Sequence, residues 1–174
     1  IVAVITILYS FPLLPFKKKK RLNDFGLLKF LTLSYVWALI TVWFPAVTLT
    51  RVTPDFQMVF IQRFVFMFVL CLAFDIRDVA SDSRSGIKTL PVSLGIRRSY
   101  LIIYGGLVAF VAISVLQFSH THQFMQFNGM VVSALATFFM IEYAKGRNSD
   151  MLYLSCIDGM MLLQAILIGI ASFG

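Results

Sequence analysis

Acidic residues are scarce in this sequence, with 8 in 174 positions against 15 lysines and arginines. Cysteine and histidine are scarcer still, at two each. Cys71 and Cys156 both lie inside apolar runs, with no C-x-x-C pair or Cys/His cluster around them. They read as packing residues, and nothing about a redox compartment follows from them. His120 and His122 have no carboxylate or cysteine close by in the sequence, so they read as interfacial polar residues rather than a metal pair. No stretch has the composition of a water-soluble domain, and there is no internal repeat or low-complexity tract. The start also lacks the basic segment and small-residue cleavage site of a signal peptide.

What is abundant is apolar surface. Hydrophobic residues make up 59% of the chain, and the mean hydropathy is +0.87, far above a soluble domain of this length. The expected class is all-α, a polytopic transmembrane bundle built as one domain over residues 1–174. The formal charge of +7 does not point to nucleic acid, because a DNA or RNA binder gathers its basic residues on a water-soluble face. Here they sit in connections between apolar runs. Alternate connections hold thirteen of the fifteen: Lys17 to Lys20, Arg21 and Lys29; Arg77, Arg84, Lys88, Arg97 and Arg98; Lys145 and Arg147. The positive-inside bias places those connections in the cytoplasm, in a multi-pass protein of the cell inner membrane.

Five full spans are expected, at residues 30–49, 56–74, 100–118, 124–143 and 151–173, after a partial N-terminal helix. Residue 1 is Ile, and residues 1–8 are apolar but far too short to cross a bilayer, so the start reads as the cut end of a longer protein. Pro12 and Pro15 end that first helix, and Pro45 is expected to kink the outer end of the next. Arg63 lies inside the second full span and reads as snorkelling towards the headgroups. Gly105-Gly106 offers a place for close helix approach. Asp158, in the last span, is expected to act as a buried hydrogen-bonding group. Asp158-Gly159 could suggest a CDP-alcohol phosphotransferase, but the A-R pair and two further acids of that signature are missing.

Three of the eight acids fall within eight positions, Asp75, Asp78 and Asp82, directly after the span that ends at Phe74. At about 100° per residue, a helix continued through them sets all three within about 60° of one another, with Arg77 and Arg84 on the opposite face. Each aspartate at the bilayer centre would cost roughly 2.5–3.5 kcal/mol. The stripe therefore belongs at the membrane edge, facing water, a cavity or a cation. Hard carboxylate oxygens suit Mg²⁺, which commonly shares its shell with a substrate's phosphates.

The string D-x-x-D-x-x-x-D, followed by G-I-K-T-L-P-V, resembles the second aspartate-rich motif of the UbiA family of intramembrane prenyltransferases. The resemblance rests on Asp75, Asp78, Asp82, Gly86, Lys88, Thr89, Leu90 and Pro91. It implies an all-helical fold of about nine spans, of which this chain is the C-terminal portion. It also implies Mg²⁺-dependent transfer of an isoprenyl group from a prenyl diphosphate to an acceptor, often aromatic, within the lipid bilayer. By this resemblance Asp75, Asp78 and Asp82 hold Mg²⁺, while Lys88, Arg77 and Arg84 contact the diphosphate. Tyr9 and Lys17 are the nearest counterparts of the family's Tyr and Lys in the preceding loop, although their spacing exceeds Y-x-x-x-K. The family's first motif, N-D-x-x-D-x-x-x-D, has no counterpart: Asn23-Asp24 runs into Phe25-Gly26-Leu27. The chain alone is accordingly expected to be inactive. Two other classes use such acids. A soluble isoprenyl diphosphate synthase would not read as successive membrane spans, whereas a transporter would use the aspartates as an ion site.

Overall fold

The computed structural model describes residues 26–48, 56–145, 147, 151 and 153–173, and every element among them is helical. The chain forms two compact units, Ile1–Ile103 and Tyr104–Gly174. In the first, α1 (Gly26–Ala38) passes through a π-helical turn (Leu39–Trp43) into the short α2 (Phe44–Thr48). Helix α3 (Phe56–Arg84) returns, and α4 (Leu90–Leu94) follows it. Helix α5 (Ile96–Thr121) runs on into the second unit, which also contains α6 (Phe124–Ala144), a π-helical segment (Tyr153–Ile157) and α7 (Asp158–Phe173).

Among the described residues, four helical stretches are long and apolar enough to cross a membrane, Phe30–Val47, Phe56–Arg84, Ile96–Thr121 and Phe124–Ala144. The fifth expected span is divided between the π-helical segment and α7, which are consecutive in the chain. The protein is a polytopic helical bundle, as its hydropathy indicates. The partial helix expected before residue 26 lies outside the described residues.

In the first unit, α1 and α3 form an antiparallel pair. Phe30 meets Phe68 edge-on at 5.3 Å between ring centroids, and five residues further along α1, Tyr35 meets Phe60 at 5.8 Å. Phe30, Ser34 and Ala38, spaced by four, are all buried. The small members of that line let the backbones approach, and the Ser34 hydroxyl donates to the Phe30 carbonyl at 2.7 Å, so no donor is stranded in an apolar setting. The kink expected at Pro45 takes the form of the π-turn just before it, where the Phe44 amide donates to the Leu39 carbonyl five residues back. A proline ring clashes with the carbonyl four residues earlier, and widening the preceding turn relieves that contact.

In the second unit, α6 and α7 pack antiparallel. Gly129 lies against Leu167, and the Gln164 amide donates to the Met130 sulfur at 3.8 Å. Gly129, Ser133 and Thr137 repeat every four residues on the buried face of α6. Both hydroxyls bond backward to carbonyls of their own helix at 2.8 Å. Of the Gly105-Gly106 pair, at which close approach is expected, Gly105 makes none among the described residues, since a Cβ there would meet nothing within 4 Å, whereas one on Gly129 would stand 3.4 Å from the Leu167 Cβ. The reason is that Gly105 faces outward, exposed, on α5, while Gly129 is buried. Asp158 departs from expectation in its burial, though not in having a partner. It is exposed, because Ile157 occupies the buried face and the next residue points about 100° away. At the far end of α6, Glu142 accepts hydrogen bonds from the Tyr104 hydroxyl and, at 2.6 Å, from Lys145. That carboxylate, and after it Tyr104, holds the Lys145 ammonium above its ordinary pKa.

Candidate functional site

Helix α3 is 29 residues long. At about 1.5 Å per residue it spans roughly 43 Å, against about 30 Å of hydrocarbon. The surplus of two to three turns lies at one end or the other. The aspartates fall at the C-terminal end, beyond the apolar run of residues 58–74, so that end is where the helix can leave the apolar layer. The helix does continue through all three acids, as the sequence indicates. It then stops in a Schellman motif. The Ile87 amide reaches the Asp82 carbonyl at 2.9 Å and the Gly86 amide the Ser83 carbonyl at 3.3 Å, with Gly86 at φ +69°. A Cβ on Gly86 would touch nothing within 4 Å. Gly86→Ala is therefore expected to cost about 1 kcal/mol through backbone conformation alone. A modest fall in thermal midpoint with unaltered helical content would show this, and an unchanged midpoint would refute it.

Past the stop, Thr89 precedes α4, whose first turn contains Pro91. The lack of an amide hydrogen is tolerated there, because the first amides of a helix have no internal partner. Helix α4 packs against α3, and Gly95, at φ +86°, turns the chain into α5. Thr89 is completely buried, and its hydroxyl has no hydrogen-bond partner among the described residues. Sequence reading treated Thr89 only as a letter of the motif. Its enclosure is a tertiary fact.

The three carboxylates have different surroundings. Asp75 and Asp82 are 3% and 9% exposed, whereas Asp78 keeps about a third of its side chain accessible. Asp78 forms a two-pronged ion pair with Arg77, Nε to Oδ1 at 2.7 Å and Nη2 to Oδ2 at 3.1 Å. Arg77 thus reaches round to its neighbour instead of keeping to an opposite face, and its guanidinium also lies 5.6 Å from the Phe74 ring centroid. Arg84 and Lys88 are exposed. Tyr9 and Lys17 lie outside the described residues.

Among the described residues, no three His, Cys, Asp or Glu side chains converge closely enough to hold one metal ion. The spacing explains why, since Asp75 and Asp82 are seven residues, about 10 Å, apart along the helix axis. A single Mg²⁺ at about 2.0–2.1 Å from its ligands cannot join them directly. The donor chemistry still suits a hard cation. Asp75 and Asp82 each have one enclosed oxygen, Oδ2, that accepts no hydrogen bond among the described residues, although both residues make other contacts. One or two carboxylates per ion, with phosphate oxygens and water completing the shell, is the ordinary Mg²⁺ arrangement.

The described residues thus form an all-helical membrane protein in which one long helix, α3, carries three carboxylates at its C-terminal end. The chain matches the UbiA prenyltransferase family over residues 1–155 and belongs to that family. No curated protein and no solved structure matches it. The family consists of intramembrane prenyltransferases that generally depend on a metal.

Proposed function

We propose that the protein transfers an isoprenyl group from a prenyl diphosphate to a membrane-accessible acceptor, often aromatic, with the diphosphate and Mg²⁺ held at the C-terminal end of α3. The observation that carries this reading is the aspartate string at that helix end in a chain matching the family over residues 1–155. The bias of basic residues supports placing this end on the cytoplasmic side, where soluble Mg²⁺ is available.

In this reading Asp75 and Asp82 are metal ligands, held at a fixed separation by the helix between them. Asp78 is a third, once its pairing with Arg77 opens or is shared with phosphate. Arg77, Arg84 and Lys88 place positive charge beside the diphosphate, and the guanidinium fork of Arg77 already shows the two-pronged geometry that suits a phosphate. Tyr9 and Lys17 complete the set by resemblance. Bound Mg²⁺ would supply charge neutralisation of the departing diphosphate. The C1–O bond breaks with both electrons going to the diphosphate, the acceptor's electron pair forms the new C–C bond to C1, and a proton leaves the acceptor. The apolar body of α3 and its neighbours keeps water away from the allylic carbon.

The test is transfer by the intact protein in liposomes, with labelled prenyl diphosphates and aromatic acceptors. Product that disappears on chelation with EDTA and returns with added Mg²⁺ is expected. Absence of product with every donor and acceptor, or turnover indifferent to EDTA, would count against the reading.

A further inference from the structure

The second unit contains an apolar groove with a charged end. Helices α5 and α6 touch through aromatic side chains at two levels, Phe118 against Phe127 near their connecting turn and Tyr104 against Phe138 towards the other end, at 5.1 Å and 5.7 Å between ring centroids. From the Tyr104 level a cavity of about 300 Å³ runs between the two helices to Val111. Tyr104, Leu107, Val108 and Val111 are spaced as one stripe of α5, and on α6 the small Ala134 leaves room one turn before Phe138. Leu107 and Ala134 are buried and form the floor, whereas Val108 and Leu135, 69% and 52% exposed, form the lips. The groove therefore opens sideways, out of the unit, and apart from the Tyr104 hydroxyl its side chains are hydrocarbon.

The charged end follows from the same helical spacing. Counting by four from Ala134 gives Phe138 and then Glu142, and Lys145 lies three residues further on. The Tyr104 hydroxyl and the Lys145 ammonium both donate to Glu142, and the ammonium lies 5.0 Å from the Tyr104 ring centroid. Since Tyr104 lines the groove, Lys145 stands at its mouth. Arg147 donates to the Tyr143 carbonyl at 2.7 Å, with its guanidinium 3.8 Å from the centroid of that ring. Both cations are exposed, and two cations with one carboxylate leave this end of α6 a net charge of +1. Their contacts hold both in place, so ordering them around an anion costs little side-chain entropy.

We infer that this groove seats one acyl chain of an anionic phospholipid, with the lipid's phosphate at Lys145 and Arg147. Helix α6 is 21 residues long. At about 1.5 Å per residue it matches the roughly 30 Å of hydrocarbon, which sets the two cations just beyond it, at headgroup level. From Tyr104 to Val111 the groove covers about 10 Å of α5, within the roughly 15 Å of one leaflet. A chain that hangs from a headgroup beside Lys145 therefore ends inside the same leaflet. The single negative charge of a phosphodiester balances the net charge of this end, whereas a zwitterionic headgroup brings a further cation to it. A second copy packed on the same face in the same membrane orientation would set two positive ends against each other at one depth, so the lipid is the better match.

The experiment titrates the intact protein in detergent with phosphatidylglycerol and with phosphatidylcholine of the same acyl chains, and counts bound lipid by native mass spectrometry. Phosphatidylglycerol is expected to bind at least about fivefold more tightly, and Lys145→Gln and Arg147→Gln each to lose about fivefold of that affinity, the scale of one cation at a membrane surface. Lys145→Arg keeps the charge and should keep the preference. Arg97→Gln, which removes an exposed cation at the start of α5, should leave it unchanged. Leu135→Trp and Val108→Trp fill the groove from exposed positions and should weaken phosphatidylglycerol binding without altering the lipid-free thermal midpoint. Equal binding of the two lipids, an unchanged preference when Lys145 and Arg147 are both replaced, or an equal loss in Arg97→Gln overturns the inference. Conversion of a dimer to a monomer by Leu135→Trp, with the lipid preference intact, overturns it in favour of a second copy. Displacement of phosphatidylglycerol by a prenyl diphosphate analogue overturns it in favour of the donor. None of these readouts needs prenyl transfer, so the lipid site and the proposed function stand or fall separately.

Discussion

Asp75→Asn and Asp82→Asn in the intact protein are each expected to lower prenyl transfer by about 10²–10³-fold, the scale on which removal of one group stabilising a developing charge is felt. Asparagine keeps the size and planar shape of aspartate, so the packing around these two buried side chains persists. What it removes is the negative charge that draws a divalent cation, together with one strong oxygen donor. The expected signature has two parts. The Mg²⁺ concentration for half-maximal activity rises sharply, while the variant stays monodisperse in detergent with a thermal midpoint near that of wild type. Wild-type turnover in either variant would remove that residue from the site. A large fall in midpoint with unaltered Mg²⁺ dependence of the residual activity would make the carboxylate structural.

Gly129→Leu is expected to be the most damaging single change outside the site. A Cβ there already meets the Leu167 side chain at 3.4 Å and the Leu167 backbone at 3.5 Å, and leucine adds three further carbons beyond that Cβ. Overpacking of this kind costs roughly 1–3 kcal/mol in a core, and here it also separates the Gln164 amide from Met130. Within a membrane there is little hydrophobic drive to hold two displaced helices together, since lipid tails solvate either face equally well. The thermal midpoint should fall clearly below that of Gly105→Leu, which adds the same side chain at an open position. Equal midpoints for the two variants would mean that the α6–α7 contact is not a determinant of stability.

The properties legible from sequence were local ones. Whether a stretch of chain can cross a membrane depends on its summed transfer free energy, and this is why the expected spans fall on the observed helices. The helical phase of Asp75, Asp78 and Asp82 follows from spacing once the helix continues through them, and the positive φ at Gly86 agrees with a glycine that ends it. The family, too, could be recognised from one contiguous string, Asp75 to Pro91, and the match over residues 1–155 agrees with it.

Properties that depend on a partner helix were not legible. Gly105 and Gly129 look alike in sequence, and only the neighbouring element decides which of them forms a contact. Three equivalent aspartates separate into two buried and one paired with Arg77, because burial and ion pairing are set by what folds over each side chain. Asp158 faces outward, although its place in an apolar run suggested enclosure. The groove beside Ala134 needs both a small residue in α6 and a second helix, α5, opposite it. Hydropathy and periodicity are sums along one strand of chain, whereas close approach, enclosure and cavity shape are relations between two, and tertiary structure alone supplies the second member of each pair.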